Sequence, residues 1–344
     1  MKNALVAVTG ITGYLGAEIA SACLQKGYKV RGTARNLTVE KEKSIKALFS
    51  NSENLELIEA SLEQRTSWKK AFANCETVFH VASPTFGKKR SDFTKPALEG
   101  CLSVLEEIKA SQVKTLILTS SIEACMNRLN SQRAFTESDW ADDKAEPYGY
   151  SKMKAEKAAW DFYSQEKKSN PDFKMSVLLP AYVLGPGVTS GVQSSQKLIH
   201  SLLSNKVILN PNFYFPIVHI QDVAQAHIQA MLNPKSDGNR YLCAAGGLWI
   251  QQISQILRNE FGKHGYSIPK YPMPYFLVKL ISLFDNDFAR CMPSYGKEII
   301  LDNTRIQEHL GMKFISTEEA VISTGYSLIK EGKIKNKLKS NLNK

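Results

Sequence analysis

Tyr148 and Lys152 stand four residues apart in the stretch Pro147-Tyr148-Gly149-Tyr150-Ser151-Lys152. Pro147 suits the first turn of a helix, where its missing N–H would have no intrahelical partner. On that helix a spacing of four puts phenol and ammonium on one face, whereas Tyr150 points elsewhere. A lysine beside a phenol favours the phenolate, so the pair can act as a general acid near neutral pH. Most such pairs are only helix surface. Two hydroxyls, Ser120 and Ser121, follow an apolar run at 115–119; alone they fit a capping turn equally well. A third feature changes the balance. Glycines occupy positions 10, 13 and 16 between an apolar run at 4–8 and a helical pattern with Ile19, Ala20, Cys23 and Leu24 on one face. A strand, a glycine turn and a helix start offer unpaired N–H groups, a positive dipole end and room for a pyrophosphate. This is the pattern of a dinucleotide site.

Residues placed so far apart in the chain must be brought together by a regular frame. Strands are predicted at 28–33, 55–59, 77–81, 115–119 and 175–179, with helices at 39–49, 66–73, 92–111 and 147–167 between them. Strict alternation predicts an α/β fold with a doubly wound parallel sheet. Its ligand lies across the carboxyl ends of the strands. After the second strand comes Arg35, 19 residues past Gly16, with no acid before Glu40. An acid at that position would bind the ribose hydroxyl of NAD, while an arginine, with Lys41 and Lys43 nearby, suits a 2′-phosphate and hence NADPH. After the fourth strand come the small residues Val81, Ala82, Ser83 and Pro84. His80 lies within that apolar strand and is expected to be a hydrogen-bonded core histidine.

With 344 residues, 43% hydrophobic and 22% charged, the chain can bury a main core and a second, dependent one. The net charge of +11 is uneven: residues 330–344 hold six lysines and one glutamate. Five of the eleven charges therefore belong to a tail expected to be solvated and fraying. The six cysteines form no C-x-x-C pair, which fits reduced, buried thiols in a cytoplasmic protein. No leader is expected before the first strand, no membrane span, no nucleic-acid partner and no metal site.

The stretches VTGITGYLG, KVRGTARN, VFHVASP, LTSS, TESDW, YGYSKMKAEKAAW, LLPAYVLGP and VHIQDVAQAHIQAM together resemble the extended short-chain dehydrogenase/reductase superfamily. Within it they resemble the dihydroflavonol-reductase-like branch of NADPH-dependent carbonyl reductases. The likeness runs from Val8 to about Met231 and, more loosely, to about Lys330. It implies phosphate contacts at Gly10, Gly13 and Gly16, further cofactor contacts at Thr12, Tyr14 and Leu15, and 2′-phosphate recognition by Arg35, beside which Lys41 is placed by the residue pattern itself. It also implies cofactor contacts at Leu62, Val81, Ala82, Ser83, Thr119, Ser120, Pro180, Ala181 and Val183. Ser121 takes the carbonyl-polarising position, Tyr148 the acid and Lys152 the ribose anchor. Ser83, Pro84, Met126 and Tyr182 join Ser121 and Tyr148 at the substrate. Three departures stand out. Ser61-Leu62 replaces an Asp-Leu pair whose carboxylate reaches the adenine. Ser103 replaces an Asn of a helix motif. Met126, followed by Asn127, replaces an Asn that contacts polyphenols, which predicts a more hydrophobic substrate than a dihydroflavonol.

The expected organisation is a dinucleotide domain at 1–180, rejoined by 217–232, a mixed α/β substrate lobe at 181–216 and 233–330, and the tail at 331–344. Asp222 is expected to cap a helix, while Trp249, Met273, Tyr275 and Phe276 are candidates for an apolar pocket. The expected function is NADPH-dependent reduction of a small aldehyde or ketone by a monomer or homodimer. The alternatives are a 3β-hydroxysteroid-type dehydrogenase and an NADP-binding redox sensor without turnover.

Overall fold

Val6, Ala7 and Val8 are at most 1% exposed, as expected of a strand covered on both faces. They belong to β1 (Leu5–Val8), the third strand of the central sheet. The computed structural model describes residues 4–84, 94–126, 133–143 and 145–338. In chain order the first half runs α1 (Tyr14–Gln25), β2 (Lys29–Ala34), α2 (Val39–Lys46), β3 (Leu55–Glu59), α3 (Trp68–Phe72), β4 (Thr77–His80), α4 (Thr94–Ala110), β5 (Thr115–Thr119), α5 (Pro147–Ser169) and β6 (Lys174–Pro180). The second half runs β7 (Tyr182–Leu184), α6 (Lys197–Leu203), β8 (Tyr214–His219), α7 (Ile220–Leu232), β9 (Asn239–Cys243), β10 (Gly246–Trp249), α8 (Ile250–Phe261), α9 (Tyr275–Ile281), α10 (Asn286–Cys291), α11 (Thr304–Leu310) and α12 (Thr317–Lys330).

The central sheet has seven parallel strands in the order β3-β2-β1-β4-β5-β6-β9. The order reverses between β1 and β4, so the crevice at their carboxyl ends is the switch point where such folds bind ligands. Helix α4 packs on α5, and α1 packs on α7. Strand β9 corrects the expectation that 233–330 lies wholly in the second lobe: Pro180 pairs with Cys243 in the central sheet. Arg240, Tyr241, Leu242 and Cys243 are all buried, the pattern of a strand covered on both faces. Strand β8 departs the other way. It joins β7 and β10 in a three-stranded mixed sheet, and the segment returns to the central core through Val218 of β8 and through Val223, Ala226 and Ile228 of α7.

The second lobe has its own core of Ile199, Leu202, Ile253, Leu257, Phe261, Val321 and Leu328. The start of the basic tail is part of it, against the expectation of a solvated end. Ile334 is 4% exposed and packs in this core with Leu338. The Tyr266 hydroxyl donates to the Lys335 carbonyl at 2.8 Å and accepts from the Lys337 N–H at 3.0 Å. An isolated isoleucine among lysines carries no periodic signal, so the sequence pattern concealed its docking. Among the described residues no helix is long and apolar enough to cross a membrane.

Candidate active site

The turn between β1 and α1 is built so tightly that side chains do not fit. Gly10 has φ +73° and donates its N–H to Thr33 Oγ1 at 3.2 Å, and its carbonyl accepts from Gly13 at 2.9 Å. A Cβ on Gly16 would lie 2.3 Å from the Gly10 oxygen, so the first turn of the helix must carry glycine there. Gly13 caps α1 without a side-chain hydrogen bond. The N–H groups of the first turn are therefore available to an anion.

The turn opens into a cleft of about 740 Å³ across the strand ends. Gly10, Thr12, Gly13, Tyr14, Leu15 and Gly16 line one end, with Arg35 and Leu62 on the walls. Val81, Ala82, Ser83 and Pro84 follow along the floor, then Thr119, Ser120, Ser121, Tyr148 and Lys152, with Pro180, Ala181 and Val183 beyond. Thr9 fixes the floor: its Oγ1 accepts from the Val81 and Ala82 N–H groups, each at 2.9 Å, and bonds His80 Nδ1 at 3.0 Å. Burial pushes the His80 pKa down to about 3, so the ring is neutral, and because Thr9 Oγ1 already accepts two N–H bonds its own proton goes to Nδ1. Tyr14 reaches across to the second lobe, donating its hydroxyl to the Gly185 carbonyl at 2.5 Å. Ser103 accepts from the Trp68 indole N–H at 3.1 Å, and Trp68 forms part of the cleft wall.

Three expected contacts lie elsewhere. Lys41 is outside the cleft lining, its ammonium donating to the Arg35 carbonyl and so bracing the arginine's backbone. Met126 is 3% exposed and sits in the central core, outside the cleft lining. Tyr182 packs its ring 5.0 Å from that of Phe215. Asn127 lies outside the described residues. Trp249 packs on Tyr214, Met273 in a small core with Phe213, and Tyr275 on Tyr295, while Phe276 is exposed. None of these four lines the cleft. Asp222 is not its helix's cap. His219 accepts from the Gln221 N–H, and Asp222 instead accepts from the Ile315 N–H at 2.8 Å. Among the described residues no group of three or more His, Cys, Asp or Glu could hold a metal ion.

At the far end Ser121 hydrogen-bonds the Tyr148 phenol, and the Lys152 ammonium lies 5.9 Å from the Tyr148 ring centre. Tyr150 is outside the lining and faces Lys154, 5.5 Å from its ring. Burial raises the Tyr148 pKa to about 12, opposed by the Ser121 bond and by Arg290. The expectation that Lys152 makes this phenol acidic is thus corrected: burial dominates, and the cation that opposes it is Arg290. Burial also lowers the Lys152 pKa to about 8, leaving it mostly an ammonium at neutral pH.

Sequence reasoning missed the group that holds this corner. Ser120 donates to Glu156 at 2.6 Å, and Glu156 pairs with Arg240 at 2.5 Å, the two 1% and 7% exposed. Arg240 donates further to the carbonyls of Glu137 and Asp139 and lies 3.7 Å over the Trp140 ring. Glu156 could have been suspected, being one turn past Lys152. Its partner could not, because the pairing depends on β9 joining the central sheet.

The doubly wound sheet, the glycine turn and the Ser121, Tyr148 and Lys152 corner fit a nicotinamide dinucleotide laid along the cleft, and they define an oxidoreductase of the extended short-chain dehydrogenase/reductase class. A profile of the NAD dependent epimerase/dehydratase family matches residues 6–244. The chain belongs to that family. Dihydroflavonol 4-reductase of Gerbera hybrida is 33% identical over 287 residues, spanning 78% of this chain and 75% of that protein. Cinnamoyl-CoA reductase 1 of Arabidopsis thaliana is 30% identical over 334 residues, spanning 95% and 90%. Among solved structures, the yeast methylglyoxal/isovaleraldehyde reductase complexed with NADPH matches with a TM-score of 0.79 at 25% identity, over 96% of this chain and all of that one.

Proposed function

We propose that this chain reduces the carbonyl of an aldehyde or ketone with NADPH. The observation that carries the reading is the hydrogen bond between Ser121 and Tyr148 at the cleft rim, with Lys152 one helical turn on. When bound, the cofactor supplies a hydride to the carbonyl carbon. Ser121 holds the carbonyl oxygen, and Tyr148 gives it a proton as charge develops there. Burial raises the Tyr148 pKa to about 12, so the phenol holds its proton at neutral pH, and Ser121 and Arg290 oppose that burial and favour the transfer. Lys152 anchors the ribose end of the cofactor, and Arg35, exposed on the cleft wall, takes its 2′-phosphate. Relatives that reduce a dihydroflavonol or a cinnamoyl-CoA, and a neighbour named for aldehyde reduction, support carbonyl chemistry.

The test is NADPH consumption with a panel of aldehydes, diketones, flavonoids and steroids. Saturable turnover of at least one aldehyde or ketone is expected. Tight NADPH binding with no turnover across the panel would favour a sensor, and faster oxidation of 3β-hydroxysteroids would favour the dehydrogenase.

A further inference from the structure

Tyr148 is approached from the second lobe as well as from the sheet. Helix α10 ends beside the start of α5. There Arg290 Nε pairs with Glu146 Oε1 at 2.9 Å, and its guanidinium carbon lies 5.9 Å from the Tyr148 ring centre. The other Glu146 oxygen accepts from the Tyr148 N–H at 3.0 Å, at the N-cap of α5. One carboxylate thus holds the backbone of the proton donor and a cation from the opposite lobe. Helix α10 is itself fixed. Asp285 caps it through the N–H groups of Asp287 and Phe288, and the Phe288 ring meets Phe213 edge-on at 6.1 Å.

We propose that Arg290 is a positioning residue of the reaction, fixing the start of α5 through Glu146 and setting a positive charge beside the Tyr148 phenol. The proposal rests on Tyr148 being the proton donor. The groups facing that phenol are Ser121 and Glu123 from the loop after β5, Lys152 and Glu146 from α5 and its cap, and Arg290 from α10. Glu123 and Glu146 push its pKa up, while Ser121 and Arg290 draw it down. Without Arg290, the Glu146 charge stands beside the phenol without its partner from α10. The phenol then titrates at higher pH. Without the Glu146 charge it titrates lower, and with both removed the two effects offset.

The reverse reaction reads this directly. In alcohol oxidation the phenolate takes the proton, and the positive nicotinamide of bound NADP+ draws its midpoint well below that of the empty cleft, so kcat rises with pH through the midpoint of the complex. The full-length chain is assayed with NADP+ and the alcohol made from its best aldehyde, as the parent and as Arg290→Gln, Arg290→Lys, Glu146→Gln and Glu146→Gln/Arg290→Gln. For Arg290→Gln the midpoint is expected to rise by about one pH unit, and kcat below the midpoint to fall about tenfold. The cofactor KM is expected to stay within about twofold, since the arginine acts on the phenol and the start of α5 and lies outside the cleft lining. Arg290→Lys restores most of the profile, Glu146→Gln moves it down, and the double variant returns close to the parent. A parental profile in Arg290→Gln would overturn the proposal. So would equal losses in Arg290→Gln and Arg290→Lys with no shift in midpoint, because that marks packing alone. Tyr148→Phe separates the two readings: if it stays active the proton-donor reading fails, and if it is dead while all profiles coincide only the role of Arg290 fails.

Discussion

Arg35 shows how a single residue can be legible by type and position. It stands at the end of β2, exposed, on the wall of the cleft. Arg31, four residues earlier, has a structural task instead, paired with Glu56 at 2.8 Å and bonded to the Ala73 carbonyl at 2.5 Å. A charge-assisted contact is worth about 1.5–3 kcal/mol, roughly a ten- to hundredfold difference in affinity. NADPH is therefore expected to bind about ten to a hundred times more tightly than NADH, with Arg35→Asp narrowing or reversing the gap, as measured by fluorescence titration. Equal affinities in the parent chain would contradict this. The Tyr148 and Lys152 pair was legible for the same reason, since four-residue spacing on a helix needs no tertiary knowledge. The electrostatic setting of Tyr148 was not. It depends on burial and on Arg290, which reaches the phenol only once the second lobe is folded.

Among the elements, the first six strands declared themselves through alternation with helices; the central ones, such as β1, β4 and β5, are short apolar runs because helices cover both faces, while edge strand β3 reads as alternating Leu55, Leu57 and glutamates. Strand β7 has three residues, and β9 contains an arginine, so neither carries that signal. Arg240 is tolerated in a buried strand because Glu156 neutralises it; leaving either charge alone there costs about 3–5 kcal/mol. The tail is the element where composition misled. Lysines at 333, 335 and 337 are exposed while Ile334 between them is buried. Deleting residues 333–344 removes that isoleucine from the second core and strips the Tyr266 hydroxyl of two partners. The expected loss is about 2–4 kcal/mol, read as a lower denaturant midpoint. An unchanged midpoint would show that the docked tail contributes nothing.

At the scale of the molecule, two lobes meet over one phenol. The central sheet presents the glycine turn and Ser121, helix α5 carries Tyr148 and Lys152, and α10 of the second lobe brings Arg290 to the same place. Tyr14 joins the lobes at the other end of the cleft, its hydroxyl donating to the Gly185 carbonyl and accepting from the Gln196 side chain of the second lobe. The central claim is that Tyr148 gives the proton in this cleft and Tyr150 does not. The direct measurement is kcat for NADPH-dependent reduction in Tyr148→Phe and Tyr150→Phe, with NADPH affinity measured alongside. Loss of a positioned general acid costs about 10²–10⁴ in rate, so Tyr148→Phe should fall at least about a hundredfold while still binding NADPH. Tyr150→Phe, whose ring lies outside the cleft against Lys154, should stay within about tenfold of the parent. A dead Tyr150→Phe beside an active Tyr148→Phe would contradict the account.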